Sequence, residues 1–301
     1  MKNIFLISII IAIAFTFYMC NSQSETIPDN QKNRLDYLGE IHNAGLNEGL
    51  KELYNSTVKK GINPATVDIE VFAHNFATSF MEKEILKREK VSDIQKLREN
   101  LQSLSHNSFS HLRSATMQET SAKIEESALT DFQKEYFNLI LKTIDGEDNI
   151  AERLAMIENE VLNKTISDQE KECVLGLLAV SKHSFAFWSE RVIENPETSL
   201  RADDPYSISL VEVNGDIFIA LNGGTAFLAK FKKFVGDVAL SDALGFAGGA
   251  VGALINPATY ASGLVFGPGG VVLTVAGQAT WGAISGSIVG AGWSIYENSK
   301  R

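Results

Sequence analysis

The segment Gly282-Ala-Ile-Ser-Gly286-Ser-Ile-Val-Gly290 places a glycine at every fourth position. Four residues are close to one helical turn, so these glycines lie on one face of a helix. A face without side chains forms a groove that a second backbone can approach closely. In water each glycine lowers helix propensity by roughly 0.8–1 kcal/mol against alanine. We therefore expect close helix–helix contact, or an apolar solvent, to compensate.

This segment lies in a tail whose residues 243–296 contain no Asp, Glu, Lys or Arg and hold 13 of the 23 glycines of the chain. Asn256-Pro257 divides the tail into two apolar arms, at about 235–255 and about 271–296, because a residue before proline disfavours the helical conformation. We predict a C-terminal Gly-rich helical hairpin over residues 235–301. Its predicted helix-packing glycines are Gly245, Gly248, Gly249, Gly252, Gly282, Gly286 and Gly290.

With these glycines the tail resembles the glycine-zipper segments of bacterial envelope proteins and the hydrophobic regions of membrane-active bacteriocins. The resemblance covers under a fifth of the chain. It implies helix self-association in or near a membrane, so membrane lipid and a second copy of the tail are the partners it suggests. The element Gly39-Glu-Ile-His42-Asn43 is similar to one in uncharacterised exported bacterial proteins and implies no activity.

Length and charge leave two environments open for the tail. The second arm is long enough to cross a bilayer, which takes about 20 apolar residues. If the chain is exported, however, the basic residues that flank the tail would all face outward, against the positive-inside tendency. The hairpin is therefore predicted either to pack against the protein's own helices or to enter another membrane after export.

The N-terminus has the pattern of a signal peptide. Lys2 supplies a positive charge, residues 4–19 form a largely apolar run, and residues 21–25 are polar. An apolar run of this length is short for a membrane span. We predict a signal peptide over residues 1–20 and an exported chain, located in the cell envelope or secreted; the alternative is an anchor that is never cleaved.

Cys20 is the candidate for lipidation, because it stands at the end of the apolar run, where a bacterial lipoprotein carries its modified cysteine. Phe17-Tyr18-Met19 departs from the small residues of a lipobox. The alternative is cleavage by ordinary signal peptidase after Ser22, with Cys20 at the −3 position. The second cysteine, Cys173, lies in an apolar helical pattern and is predicted to be a small core residue rather than a reactive thiol.

Between the two ends the sequence predicts a mainly α protein with a bundle-like helical domain at residues 35–195, preceded by a polar tether at 21–34 and followed by a linker at 196–234. A stripe that begins with Leu35, Leu38 and Ile41 predicts the first helix, although Gly45 and Gly49 lower its propensity. Short loops favour antiparallel packing, and residues 25–200 are expected to fold without the tail. Further helices are predicted at 65–90, 93–104, 130–144, 149–163 and 167–193.

In the linker, residues 207–221 alternate between apolar and polar around Asn214-Gly215. Asn-Gly accepts the positive φ angles of a type I′ turn, so a small β-hairpin is predicted there. An amphipathic stretch at 225–242 leads into the tail.

Charge and motifs exclude several functions. The formal net charge of −10 disfavours nucleic acid as a partner, because phosphate binding needs a basic surface. The sequence contains no Gly-x-Ser-x-Gly elbow, phosphate-binding loop or complete Gly-x-Gly-x-x-Gly, and no cofactor is predicted. His42 and His74 on facing helices could ligate a metal only with further ligands that no motif supplies. His42-Asn43 is instead predicted to form a buried polar contact between helices.

These observations predict an exported, envelope-associated protein without enzymatic activity, whose tail mediates helix packing or membrane association. The alternative is a secreted membrane-active effector that resembles a bacteriocin. A third hypothesis is an enzyme whose site forms only in three dimensions.

Overall fold

A computed structural model gives the fold. It describes residues 32–62, 66–88, 95, 117–127, 129–146, 148–194, 208–221, 227–255 and 279–291. The described residues from Asn33 onward belong to one compact unit. The predicted signal peptide, Cys20 and nearly all of the predicted tether lie outside the described residues.

The compact unit is mainly α-helical with a small sheet, as the sequence predicts. A short 3₁₀ helix, Val58–Lys60, follows the first α-helix. The helices are α1 (Asp36–Ser56), α2 (Ile69–Arg88), α3 (Met117–Glu126), α4 (Asp131–Gly146), α5 (Ile150–Asn163), α6 (Asp168–Arg191), α7 (Phe227–Ile255) and α8 (residues 279–291).

Helix α1 buries the face that its apolar stripe indicates, from Leu38 and Ile41 through Leu53. His42 lies within this buried face. Beyond the helix the chain turns at Gly61, whose φ of 70° lies in the left-handed region that glycine adopts readily. The stripe and the break that follows it are therefore both local features of the sequence.

The predicted boundaries of α4, α5 and α6 agree with the structure to within two residues at each end. Ser167 caps α6, because its hydroxyl oxygen accepts a hydrogen bond from the Glu170 N–H at 3.3 Å. Helix α3 lies in a stretch where the apolar pattern was too weak to predict a helix. The helix predicted at 93–104 lies outside the described residues apart from Gln95.

A three-stranded sheet in the order β1-β3-β2 confirms the hairpin and adds one strand. Strands β2 (Ile208–Val213) and β3 (Asp216–Leu221) pair antiparallel. Between them Asn214 and Gly215 have φ angles of 54° and 84°, as a type I′ turn requires. Strand β1 (Val192–Glu194) pairs parallel with β3, so α6 ends two residues before the predicted helix end.

The tail contributes to both clusters of the hydrophobic core. Helix α7 is one continuous helix of 29 residues, so the predicted amphipathic stretch and the first arm are not separate elements. From α8, Trp281, Ile284 and Ile288 pack with α1, α2 and the sheet. Ala279 and Ala283 of α8 pack with α4, α5 and α6.

Helix α8 is buried on every side, since all residues from 279 to 289 are buried. A helix that is apolar all round belongs in a core or a membrane, and here its described part lies in the core. The helical domain and the tail therefore share one core. The expectation that residues 25–200 fold without the tail assumed that the apolar stripes of α1 to α6 bury one another. In the structure α7 and α8 also pack against these stripes.

Candidate functional site

Helices α7 and α8 touch backbone to backbone at two glycines. A Cβ atom placed on Gly245 would lie 2.3 Å from the carbonyl oxygen of Gly282. Conversely, a Cβ placed on Gly282 would lie 2.3 Å from the carbonyl oxygen of Gly245. Both distances are shorter than any real side-chain carbon makes, so the observed helix spacing requires glycine at both positions.

The contact continues along both helices. A Cβ on Gly286 would lie 2.8 Å from the carbonyl oxygen of Ser241, and one on Gly290 would lie 3.1 Å from the Ser241 hydroxyl. Moving forward along α8 from 282 to 286 thus moves the contact backward along α7 from 245 to 241. The two helices therefore run antiparallel, as a hairpin requires.

The remaining glycines of the first arm differ from Gly245. The Cα of Gly249 lies 3.7 Å from a Cβ placed on Gly282, so Gly249 borders the contact. Gly248 is exposed, and a Cβ on it would meet no described atom within 4 Å. The packing role predicted for Gly248 is therefore not seen among the described residues. Gly252 lies in α7, but its surroundings are outside the described part of the chain.

Helix α1 supplies a second pair of glycines to α8. A Cβ on Gly45 would lie 2.7 Å from Cδ1 of Ile284, and one on Gly49 would lie 2.8 Å from Cδ1 of Ile288. The isoleucines of α8 thus occupy the space that side chains at these positions would fill. From the sequence, Gly45 and Gly49 were expected only to lower the helix propensity of α1. Their four-residue spacing, which matches that of the tail glycines, is the signal of this contact.

Two tryptophans fix α8 to neighbouring helices by hydrogen bonds. Trp281 Nε1 donates to Thr78 Oγ1 of α2 at 3.2 Å. Trp188 Nε1 of α6 donates to Ser287 Oγ at 3.1 Å. The His74 ring packs edge-on against Trp281, with ring centroids 5.6 Å apart. His74 therefore faces α8, whereas His42 contacts α7.

A buried polar junction forms where α1, α6 and α7 meet. Its members are His42, Ser184 and Asp242, and each is 0% exposed. The Ser184 hydroxyl donates a hydrogen bond to Asp242 Oδ2. His42 Nε2 lies 3.4 Å from the same oxygen, within ion-pair range but without the geometry of a hydrogen bond. In the sequence, Asp242 stands out only as the charged residue directly before the charge-free segment 243–296.

The Gly39-Glu-Ile-His42-Asn43 element is the part of α1 that builds this junction. A Cβ on Gly39 would lie 2.4 Å from the His183 ring of α6, so the two helices approach closely there. Asn43 Nδ2 donates to the His183 carbonyl oxygen at 3.0 Å, and Asn43 Oδ1 lies 3.1 Å from His42 Nδ1. These contacts confirm the prediction that His42-Asn43 forms a buried polar contact between helices.

The junction contains a serine, a histidine and an aspartate, but not in the arrangement of a hydrolase triad. In a triad the histidine lies between the nucleophile and the carboxylate and takes the proton of the nucleophile. Here Asp242 lies between Ser184 and His42. Because all three side chains are fully buried, no substrate reaches Ser184. The junction therefore joins helices and lacks the arrangement of a hydrolase triad.

Cys173 packs against the core cluster of α4, α5 and α6. Burial, assisted by the nearby Glu172 carboxylate, raises the pKa of its thiol to about 11. A thiol with so high a pKa is a poor nucleophile at neutral pH, because the thiolate is the reactive form. This agrees with the prediction that Cys173 is an inert core residue.

A charged network lies near the start of α1. Asp36 Oδ1 is 3.3 Å from His183 Nε2 and 3.7 Å from Lys182 Nζ, and Lys182 also binds Glu158 at 2.6 Å. The hydrogen bond with His183 is the largest cause that lowers the pKa of Asp36, and Lys182 adds to it against the opposing effect of burial. The network connects α1 to α5 and α6 at a half-exposed surface.

Among the described residues, no group of three or more His, Cys, Asp or Glu side chains is arranged to hold a metal ion. None of the helices formed by those residues combines the length and the apolar character that crossing a membrane requires. The resemblance of the tail to glycine-zipper segments stays a prediction. No protein family, curated protein or solved structure matches the chain.

Proposed function

We propose that the chain is an exported, envelope-associated protein without enzymatic activity, whose glycine-rich tail mediates helix packing within its own fold. The reciprocal backbone contact of Gly245 and Gly282 carries this proposal. It supports a role for the glycine groove that needs neither lipid nor a second chain. Export is supported by Lys2 and the apolar run at 4–19.

If the tail packs in the core, the N-terminal region is the part of the chain that would attach the protein to the envelope. Cys20 is the residue suited to it, because it follows the apolar run directly. Acyl chains on such a cysteine bind the membrane through the burial of their methylene groups. The polar residues after Cys20 would then separate the lipid from the folded unit, which begins at Asn33.

Metabolic labelling with a fatty acid tests the lipid attachment in a bacterial host. The Cys20→Ala variant should lose the acyl label and leave the membrane fraction. Cys173→Ala is the matched control, because it removes the other cysteine of the chain and should keep the label. A mature chain that begins at Gln23 would instead show ordinary cleavage after Ser22, and a mature chain that retains Met1 would contradict export with cleavage.

A second candidate function, a secreted membrane-active effector, is favoured by one observation. The charge-free helix α8 is enclosed by helices that carry charged residues. The described part of the apolar tail is therefore shielded from water. An effector of this kind would release dye from lipid vesicles when the mature chain is added without detergent. If the chain stays folded in detergent-free buffer and leaves vesicles intact, the packing function stands and the effector function is excluded.

A further inference from the structure

We propose that His42, Ser184 and Asp242 form a one-proton lock that holds the charge-free tail in the core. Asp242 is the last charged residue before the segment 243–296, which has none. The neighbouring Ser241 carbonyl packs against Gly286 of α8. The lock therefore lies one residue from the contact between α7 and α8, and a change in its charge would act on α7, against which α8 packs.

The hydrogen bonds of Asn43 determine which nitrogen of His42 carries a proton. Asn43 Nδ2 donates to the His183 carbonyl oxygen, which can only accept. This fixes the amide orientation, so Asn43 Oδ1 is the atom that faces His42 Nδ1 at 3.1 Å. An amide oxygen also only accepts, and His42 Nδ1 must therefore carry a hydrogen.

With Nδ1 protonated, the neutral form of His42 has a bare lone pair on Nε2. That lone pair faces Asp242 Oδ2 at 3.4 Å. An ionised Asp242 would oppose it with a second lone pair, so the pair avoids this repulsion when one of its two side chains carries a further proton. The proton makes either an imidazolium beside a carboxylate or a neutral imidazole beside a carboxylic acid, and both states have zero net charge.

Every other proton count leaves a net charge in the interior. Loss of the proton leaves a carboxylate that only the Ser184 hydroxyl stabilises, and gain of a second proton leaves an imidazolium without a counterion. Asp242 Oδ1 has no hydrogen-bond partner among the described residues, and neither has Ser181 Oγ. The described surroundings thus offer little further compensation, and an uncompensated buried charge is strongly destabilising.

Several titratable side chains on the helices around the lock pair with other groups in the described part of the chain. The pairs are Lys182 with Glu158, His183 with Asp36, Asp237 with Lys233, Tyr136 with Glu160, and His74 with Trp281. None of the residues 279–291 of α8 is titratable. Within the junction itself, His42 and Asp242 are the two titratable side chains.

The thermal unfolding midpoint of the mature full-length chain, measured against pH, tests the lock. The wild type should be most stable where the pair holds one proton, and its midpoint should fall toward both acid and alkaline pH. The double variant His42→Gln, Asp242→Asn replaces both titratable side chains with neutral amides. Its unfolding midpoint should therefore fall less steeply toward acid and toward alkaline pH. His183→Gln is the control, because it removes a histidine of the same region from outside the lock, and it should keep both falls.

A second measurement does not depend on how well the variants fold. Nitrogen-15 NMR of the wild-type imidazole should show Nδ1 of His42 protonated throughout the pH range in which the chain is folded. A bare Nδ1, or a double variant whose pH profile equals that of the wild type, would overturn the lock. Both experiments are done in buffer without lipid and do not depend on Cys20, so failure of the proposed envelope function would leave their outcome unchanged.

Discussion

Helices α4 and α8 are both held in the core, but by opposite steric rules. Helix α4 fills one face with large side chains such as Phe137, Ile140 and Leu141, and its stability depends on volume that is present. Helix α8 also places large side chains in the core, but it meets α7 through glycines, and that contact depends on volume that is absent. We therefore expect removal of side-chain atoms to destabilise the region of α4, and addition of side-chain atoms to destabilise the contact between α7 and α8.

The largest expected effect is the loss of α8 itself. A chain that ends at Ile255 loses Trp281, Ile284 and Ile288 from the core. Burial of each such side chain contributes about 1.5–3 kcal/mol, and a typical domain has a stability of only about 5–15 kcal/mol. We expect this chain to lose cooperative unfolding, measured by circular dichroism on heating. A sharp transition at the midpoint of the full chain would mean that α4 and its neighbours form a core without the tail.

In the α4 to α6 region, removal of atoms should be costly. Leu154 of α5 is fully buried, and Leu154→Ala should lower the free energy of unfolding by about 3 kcal/mol, within the usual 2–5 kcal/mol for such cavities. Met156 of the same helix is 58% exposed, so Met156→Ala should change it by less than about 0.5 kcal/mol. Urea denaturation measures both, and equal effects would show that α5 is not packed as described.

At the α7–α8 contact, addition of one methyl group should be costly. Gly245→Ala forces a Cβ against the Gly282 carbonyl and should lower the free energy of unfolding by about 1–3 kcal/mol. This loss would oppose helix propensity, which favours alanine by up to about 1 kcal/mol. Gly248→Ala is the matched control, since it adds the same methyl group on the exposed side of α7 and should stabilise. If both variants stabilise, the glycine contact has no packing role.

The smallest effect is expected in the surface network, which follows neither steric rule. Asp36→Asn should lower the free energy of unfolding by less than about 1 kcal/mol, because Asp36 is half exposed and screened by water. Its pKa is lowered in the fold, so its contribution is present above the pKa of an unfolded aspartate and is lost as pH falls through the folded pKa. The free energy of unfolding of the wild type should therefore exceed that of Asp36→Asn at neutral pH, and the two values should converge in acid. Asp148→Asn is the control, because it removes an exposed ion pair with Lys232, and it should change the free energy of unfolding less than Asp36→Asn does.

The helices of the bundle could be predicted because their signals are local. The stripe of α1, the Ser167 cap of α6 and the Asn214-Gly215 turn each depend on residues within a few positions of one another. Hydrophobic periodicity and turn chemistry act over the same distance. The glycine spacing of α8 is local as well, which is why a packing face could be predicted before its partner was known.

The parts that could not be predicted depend on distant residues. Strand β1 follows α6 without a break, and only its pairing with β3 shows where the helix must end. The polar junction needs His42 and Asp242, which are brought together by the fold across most of the chain. No local pattern distinguishes a buried Asp242 from a solvated one, so the sequence gives no sign of the site.

The alkylation rate of Cys173 can be used to follow the packing of α6. Its pKa of about 11 leaves almost no thiolate at neutral pH while α6 is packed, so alkylation of the folded chain should be slow. Once Cys20 carries a lipid or has been removed, Cys173 is the sole free thiol of the chain. A variant that loosens the packing of α6 should then be alkylated faster than the wild type.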